Sequence, residues 1–342
     1  MNDRSLVART HPTLSPPFRA EHIGSLLRPA SLLSMRAARA RGEIADEALT
    51  KAEDAAITEA IRLQERAGLR LATDGEFRRA NYHGYFFGKL GDIDPARVEE
   101  TGANTGKGAQ PQAVIRSRLQ WTAPIHAADF RFIAGRTNLA PKITLPGPGA
   151  LHFRGGDKAI LASAYDDVDA FWDDTIAAFR AELSALADAG CRYVQIDETA
   201  FAKFGDADTQ VVLKARGDDP DALIDRYIAV TNRVLEGLPE SLVIGMHLCR
   251  GNRGGQWHAE GGYEPVAERL FNRLAIDCFY LEFDSERAGS FEPLRHLPKH
   301  KRAVLGLVSS KTMRLESVDE LRHRLDEAAK FADLERLAIS PQ

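Results

Sequence analysis

Two residues of metal-binding type stand two positions apart in the segment LVIGMHLCRGN, namely His247 and Cys249. The apolar run before them predicts a β-strand, and alternate residues of a strand point to the same face. An imidazole and a thiolate on one face suit zinc, and Glu282, at the end of the next predicted strand, adds a carboxylate. The pair alone also fits a strand histidine beside a buried cysteine, so it is a weak signal without Glu282.

Carboxylates and a small polar turn follow other strand-like runs. Glu76 and Asp197 each stand at or just after the end of such a run. They suit general acid or base work, or equally the binding of a cationic group such as an amine. Gly24 and Ser25 offer backbone N–H groups and a hydroxyl, which suit either a bound carboxylate or a simple turn.

The elements that position these residues alternate regularly along the chain. Short apolar or β-branched runs are separated by stretches with apolar residues at helical spacing. Three such stretches are clear: one begins near Lys51, one ends just before Gly190, and one begins at Ser317. Eight runs with no GxGxxG motif after the first predict an α/β fold, a closed (β/α)8 TIM barrel, whose chemistry lies where strands end. The runs are His22 to Ser25, Leu69 to Asp74, Lys142 to Leu145, Tyr193 to Asp197, Leu242 to Cys249, Cys278 to Phe283, Ala303 to Val308, and Leu337 to Ser340.

The domain organisation follows from the length of 342 residues. A barrel needs about 250 residues, so the surplus is expected in a flexible N-terminal arm, 1–18, and in an excursion after strand two, 82–137. We expect 19–342 to form a single barrel that carries this excursion. The excursion either covers the barrel mouth or merely decorates it.

Composition excludes several classes of protein. Forty-five basic against forty-nine acidic residues give a net charge of −4, which favours neither nucleic acid nor an anionic membrane as a partner. Three cysteines are too few for a disulfide framework and indicate a reducing cytoplasm. We find no apolar run of the roughly 18 residues that a membrane helix needs, and the polar N-terminus is unlike a signal peptide.

Six segments resemble motifs of the catalytic barrel in the cobalamin-independent methionine synthase family, especially in its short single-barrel members. They are HIGS, TDGEF, IDE, HLCRGN, LEFD and RLAISPQ, and they span the chain from about His22 to its end. The resemblance implies a zinc enzyme that transfers a methyl group from a methyltetrahydrofolate to the thiol of homocysteine. It implies zinc ligation by His247, Cys249 and Glu282.

The resemblance also implies how the amino acid acceptor is held. Ile23, Gly24 and Ser25 match the segment that binds its carboxylate. Glu76 and Asp197 match the carboxylates that bind its amino group. The expected partners are thus a small thiol and a methyl donor, without nucleic acid or membrane, while a homo-oligomer stays open.

Three departures from the family pattern affect these expectations. A fourth zinc ligand, a cysteine, and the last barrel helix are expected to follow Gln342. Val308 occupies the position of a histidine proton donor, so a pterin leaving group would need another acid such as Lys311. Lys203 occupies the position of a folate-binding glutamate.

Because the last two departures concern the donor, three alternatives stand beside methionine synthesis. The first is the same zinc and thiol chemistry with a different donor, as in epoxyalkane coenzyme M transferases. The second is a non-catalytic barrel that binds zinc or a thiol. The third is a metal-dependent hydrolase, which a cysteine ligand disfavours.

Overall fold

The computed structural model describes residues 16–80, 82–94, 114–161, 164–252 and 255–342. Within these ranges most strands are short, parallel and buried, as expected for a sheet covered on both faces. The strands are Leu71–Ala72 (β1), Ile93–Asp94 (β2), Val114–Ile115 (β3), Ala140–Pro141 (β4), Ile143–Pro146 (β5), Tyr193–Asp197 (β6), Val243–Leu248 (β7), Cys278–Glu282 (β8), Arg302–Val308 (β9) and Leu337–Pro341 (β10).

The parallel strands follow one another around a (β/α)8 barrel. Strands β5 to β10 pair in sequence order in one parallel sheet, and β1 pairs with β4, which continues into β5. Lys142, between β4 and β5, donates its N–H to the carbonyl of Ala72, so β4 and β5 occupy one barrel position. Strands β2 and β3 form a separate antiparallel pair inside the sequence excursion. The predicted fold class is confirmed.

The first barrel position differs from its prediction. The expected strand from His22 to Ser25 does not form, and the ring is closed there by a single parallel bridge between Ala20 and Ile339. The amide of Gly24 donates to Nδ1 of His22, and its carbonyl accepts from the hydroxyl of Thr73. Side chains therefore take the backbone hydrogen bonds that a strand ladder would use.

The helices pack outside the strands, and the three predicted from apolar spacing are present at Asp46–Arg66, Val168–Asp188 and Val318–Ala328. The side chain of Ser317 caps the last of these in a capping box with Glu320. The helices are Ala30–Ala40 (α1), Asp46–Arg66 (α2), Gly84–Phe87 (α3), Ala127–Ala134 (α4), Ala150–Leu161 (α5), Val168–Asp188 (α6), Ala200–Lys203 (α7), Ala207–Arg216 (α8), Pro220–Leu235 (α9), Glu264–Arg273 (α10) and Val318–Ala328 (α11). Short 3-10 turns lie at Glu286–Ala288, Glu292–His296 and Leu334–Arg336.

Buried apolar side chains form two clusters. The large one fills the space between strands and helices, and the small one lies inside the barrel, where Tyr193, Cys278 and Tyr280 meet. Cys191 is also buried, in the large cluster, as expected for a core cysteine. None of the described helices has the length and apolar character that crossing a membrane requires.

The predicted domain boundaries remain predictions. Most of the arm, 1–15, lies outside the described residues, and so does the middle of the excursion, 95–113. The described part of the excursion is anchored in the core, since Phe86 and Phe87 are buried against Phe179.

Candidate active site

The ends of β6, β7 and β8 bring four of the predicted site residues to the same rim of the barrel, as two neighbouring pairs. Asp197 and His247 are partners in the β6–β7 register. Leu248 is opposite Leu281, so Cys249 follows at the level of Glu282. Neighbouring strands lie about 4.8 Å apart, so a carboxylate, an imidazole, a thiol and a second carboxylate are neighbours on this rim.

His247 is buried and lacks a partner for one ring nitrogen. Its Nδ1 is shielded from solvent and has no hydrogen-bond partner among the described residues. Burial, with the positive charges of Lys142 and Lys311 nearby, lowers the pKa of His247 to about 3. The ring is therefore neutral at physiological pH, which is the form that ligates a metal.

Cys249 lies beside the carboxylate of Glu282. Burial raises the pKa of the Cys249 thiol to about 11, and the negative charge of Glu282 adds to the effect. Without a cation at this position the thiol stays protonated at neutral pH. A metal ion would reverse that balance, because coordination deprotonates a thiol.

Glu282 is fully buried and already bonded to three groups. Its Oε2 accepts the N–H of Arg250 at 2.6 Å, and its Oε1 contacts the guanidinium of Arg287 and lies 3.5 Å from Nζ of Lys311. Lys311 also bonds Asp284, at 2.9 Å. Two cations thus share the carboxylate that the resemblance assigns to zinc.

The donor set fits zinc chemically, although it is not gathered around one point. Among the residues that the structure describes, no three His, Cys, Asp or Glu side chains are grouped closely enough to hold a metal as they stand. The buried Nδ1 of His247 without a partner and the adjacent Cys249 thiol are zinc-type donors. For Glu282 to join them, its contacts with Arg287 and Lys311 must be exchanged for the metal.

Glu76 is held in an unusual backbone conformation. Its φ of 59° is the one positive value found at a non-glycine residue within the described ranges. Such conformations cost about 1–3 kcal/mol and are concentrated at functional sites. The side chain accepts a hydrogen bond from Thr144 at 3.1 Å and lies 3.9 Å from a guanidinium nitrogen of Arg79, and its N–H donates to Asp74.

Asp197 faces Glu76 across the mouth. Burial, followed by the negative charge of Glu76, raises the pKa of Asp197. Oδ1 of Asp197 accepts a 2.7 Å hydrogen bond from Gln195, which also binds the carbonyl of Ile23. A bound ammonium group would relieve the repulsion between the two carboxylates, so the pair suits a cationic substrate group.

The turn from Ile23 to Ser25 is packed against these carboxylates. A Cβ placed on Gly24, whose φ is +123°, would lie 2.6 Å from a methyl carbon of Thr144, so only glycine fits there. Because the Gly24 amide already donates to His22, that N–H is not available to a carboxylate. Ser25 is exposed at the mouth and presents both an amide and a hydroxyl.

A buried polar network forms the floor of the site, and the sequence patterns did not reveal it. Lys142 contacts Oε2 of Glu21 at 3.3 Å and Oε1 of Gln195 at 3.0 Å. The hydroxyls of Tyr193 and Tyr280 bond each other and both reach Glu21. The one available signal was a lysine at the start of the otherwise apolar run KITLP.

The fold is that of a known enzyme family. A family model described as the catalytic domain of cobalamin-independent synthase matches residues 18–342. The chain therefore belongs to the family of cobalamin-independent methionine synthase catalytic domains.

Individual relatives agree with this assignment. The chain is 37% identical over 339 residues to YxjH of Bacillus subtilis, which is described as uncharacterized, covering 98% of this chain and 89% of YxjH. It is 25% identical to a methionine synthase of Pyrococcus horikoshii, covering 93% of this chain and 83% of that protein. A crystal structure from Listeria monocytogenes, provisionally described as a vitamin B12-independent methionine synthase, superposes with a TM-score of 0.76 at 31% identity, covering 96% of this chain and 92% of that one.

Family membership by itself assigns no role to individual side chains. The roles of Ile23, Gly24, Ser25, Glu76 and Asp197 toward a substrate remain predictions. The same holds for zinc ligation by the three residues described above.

Proposed function

We propose that the protein is a zinc-dependent methyltransferase that methylates the thiol of homocysteine or of a similar small thiol compound. The observation that carries this proposal is the register pairing of Asp197 with His247. It puts a predicted anchor for the substrate amino group one strand away from the predicted metal ligands. The family assignment supports the same reaction class.

Different residues would bind the two charged groups of the acceptor. Glu76 and Asp197 would bind the ammonium group, and the amide and hydroxyl of Ser25 would bind the carboxylate. Thr144 and Gln195 hold the two anchoring carboxylates in place. An acceptor fixed at both ends directs its sulfur toward His247 and Cys249, which lowers the entropic cost of the reaction.

His247, Cys249 and Glu282 would hold the zinc ion. When bound, zinc supplies the positive charge that keeps the acceptor sulfur deprotonated near neutral pH. In the transfer, a carbon–sulfur bond forms at the methyl group while the bond between that methyl group and the donor breaks. The leaving donor keeps the electron pair of the broken bond. Because Cys249 and the acceptor must both remain reduced, we place the reaction in the cytoplasm.

The donor is the open part of the reaction. A methyltetrahydrofolate is the family expectation, but Val308 and Lys203 occupy two donor-side positions of the family pattern with different chemistry. Val308 ends β9 half-buried and has no proton to give. A different alkyl donor with the same thiol acceptor is therefore the second candidate function.

The test uses the full chain loaded with zinc, L-homocysteine and 5-methyltetrahydrofolate, with methionine measured by mass spectrometry. We expect methionine from the wild-type protein and none above background from His247→Asn. Methionine absent although zinc is verified as bound would contradict folate as the donor and favour the second candidate. Failure to bind either zinc or homocysteine would contradict the proposed function itself.

A further inference from the structure

A second group of polar side chains lies within electrostatic range of Cys249, apart from the acceptor anchors. It is built by segments that follow β1, β5 and β6. The hydroxyl of Tyr82 bonds the side chain of Thr199. Arg154 interacts electrostatically with Tyr82 and Lys203, and Lys203 interacts with Cys249.

Lys203 interacts electrostatically with the carboxylates of Glu198 and Asp206, which lie beyond ion-pair distance from it. It ends the short helix α7, is half-buried, and lies with Nζ 5.7 Å from the centre of the Phe153 ring. Across the described ranges its ammonium group has neither a hydrogen-bond acceptor nor an ion-pair partner within contact distance. Burial, together with the charge of Arg154, lowers the pKa of Lys203 to about 8.

The nearby carboxylates are already bonded to backbone amides. Burial raises the pKa of Glu198 to about 7, so its negative charge is only partly present at neutral pH. Among the described residues, neither Glu198 nor Asp206 makes an ion pair with Lys203. Glu198 accepts hydrogen bonds from the amides of Gly149 and Ala200, and Asp206 accepts them from the amides of Thr209 and Glu260. A half-buried ammonium group whose carboxylates act only at longer range can accommodate an anionic ligand, because the charge of that ligand would offset its partial desolvation.

We propose that Lys203, with Arg154 beside it, binds an anionic group of the alkyl donor, a carboxylate, sulfonate or phosphate. This inference rests on the proposed function, because it assigns the second substrate of that reaction. The acceptor's own charged groups are already matched by Ser25, Glu76 and Asp197. The family pattern has a glutamate at this position, which only accepts hydrogen bonds, whereas a lysine only donates them. The position thus changes from one that binds N–H groups to one that binds an anion.

A matched pair of small probes tests the charge requirement. Methanesulfonate and dimethyl sulfone have similar shapes, and only the first is an anion. Each is titrated by calorimetry into the zinc-loaded full chain in Tris buffer, which avoids competing sulfonate and phosphate. We expect methanesulfonate to bind at least about 10-fold more tightly than dimethyl sulfone, which corresponds to one charge-assisted contact.

Variants then assign that binding to Lys203. Lys203→Met should weaken methanesulfonate binding by about 10-fold or more, and Lys203→Arg should retain most of it. Lys214→Met, an exposed lysine on the following helix, is the control and should leave the affinity unchanged. Circular dichroism and the unfolding midpoint confirm that each variant is folded, and Lys203→Gln replaces Lys203→Met if the latter is not.

Homocysteine distinguishes the two sources of an anion. If the site serves the donor, methanesulfonate binds equally well when homocysteine is already saturating. Competition between them would show that the site belongs to the acceptor and would overturn the assignment. No saturable binding of methanesulfonate to the wild type, or unchanged affinity in Lys203→Met, would overturn it too. Because these titrations need no turnover, a failure of methyl transfer would leave this result standing by itself.

Discussion

The hydroxyl of Thr144 donates a hydrogen bond to Oε1 of Glu76 at 3.1 Å and accepts one from Arg79 at 2.9 Å. It is therefore the link between the Glu76 carboxylate and the fully buried guanidinium of Arg79. Because Glu76 has a strained backbone, its side chain depends on such contacts for a fixed direction.

Replacing this hydroxyl should weaken acceptor binding. Thr144→Val keeps the shape but leaves Glu76 and Arg79 without their shared partner, at a cost of about 1–2 kcal/mol. We expect KM for homocysteine to rise roughly 5- to 30-fold, with the zinc content unchanged. Thr144→Ser, which keeps the hydroxyl, should stay near the wild-type KM. A wild-type KM for Thr144→Val would show that the hydroxyl is not needed to hold Glu76 in place.

Gly24→Ala should damage both stability and acceptor binding. The new Cβ would lie 2.6 Å from Cγ2 of Thr144, and alanine is strained at a φ of +123°. We expect a loss of about 1–3 kcal/mol in unfolding free energy, measured by urea denaturation. Adding Thr144→Ser removes the clashing methyl group and should restore part of that loss. No recovery in the double variant would assign the whole effect to backbone strain.

Asp197→Asn tests the amino-group anchor. Asparagine can still accept from Gln195 but cannot pair electrostatically with an ammonium group. We expect KM for homocysteine to rise about 10- to 100-fold, the value of a charge-assisted contact, while zinc content stays the same. Asp188→Asn, at the exposed end of α6, serves as the control. A lower kcat with unchanged KM would contradict the anchoring role and favour a role in the chemistry.

The metal prediction concerns His247 on β7 and Cys249 just after that strand. Mutating a residue that only hydrogen-bonds a metal ligand typically weakens metal binding by roughly 10- to 100-fold. His247→Asn and Cys249→Ser remove a ligand itself, so each should weaken zinc binding by more than that. Zinc content after dialysis, measured by mass spectrometry, checks this. Cys191→Ala, which removes a core cysteine, should retain stoichiometric zinc. Equal zinc content in all three variants would rule out the proposed ligands.

His22 should make the fold sensitive to acid. Burial and the charge of Lys142 lower the pKa of His22 to about 3, against 6.5 when unfolded. The unfolded chain therefore binds the proton first, so the stabilisation is complete above pH 6.5 and is lost as pH falls toward 3. The contribution is at most about 1.4 kcal/mol per pH unit.

His22→Asn isolates this contribution, since asparagine can still accept from the Gly24 amide but does not titrate. We expect unfolding free energy to fall less in this variant than in the wild type between pH 7 and pH 5. Both proteins are measured in a chelator, so that zinc release does not add its own pH dependence. Parallel curves for the two proteins would show that His22 is not the group responsible.

The sequence predicted most of the barrel strands, because short apolar and β-branched runs are typical of buried strands. It failed at the first position, since the hydrogen bonds of Gly24 go to His22 and Thr73. Neither side chain differs in type from an ordinary strand or turn residue. His22 reaches the Gly24 amide from two positions away, whereas only closure of the ring brings Thr73 to the Gly24 carbonyl.

The sequence also predicted candidate site residues, because they stand at the ends of predicted strands. It did not predict the side chains that contact them. The contacts of Glu282 with Arg287 and Lys311 depend on how the loops after β8 and β9 fold back. Likewise, Lys142 and Glu21 are 121 positions apart in the chain and meet only inside the closed barrel. Spacing along the chain carries no information on such pairs.

The junction between Gly24 and Thr73 divides the barrel mechanically. Elsewhere a ladder of backbone hydrogen bonds joins neighbours, whereas here the Thr73 hydroxyl bonds the Gly24 carbonyl and a single backbone bond runs from Leu26 to Gly75. Such a junction opens at lower free energy than a strand pair. The turn from Ile23 to Ser25 can therefore move more easily than the laddered strands β6, β7 and β8, which carry Asp197, His247 and Glu282. Under the proposed function, an amino acid could enter or leave at this turn without displacing the proposed metal ligands.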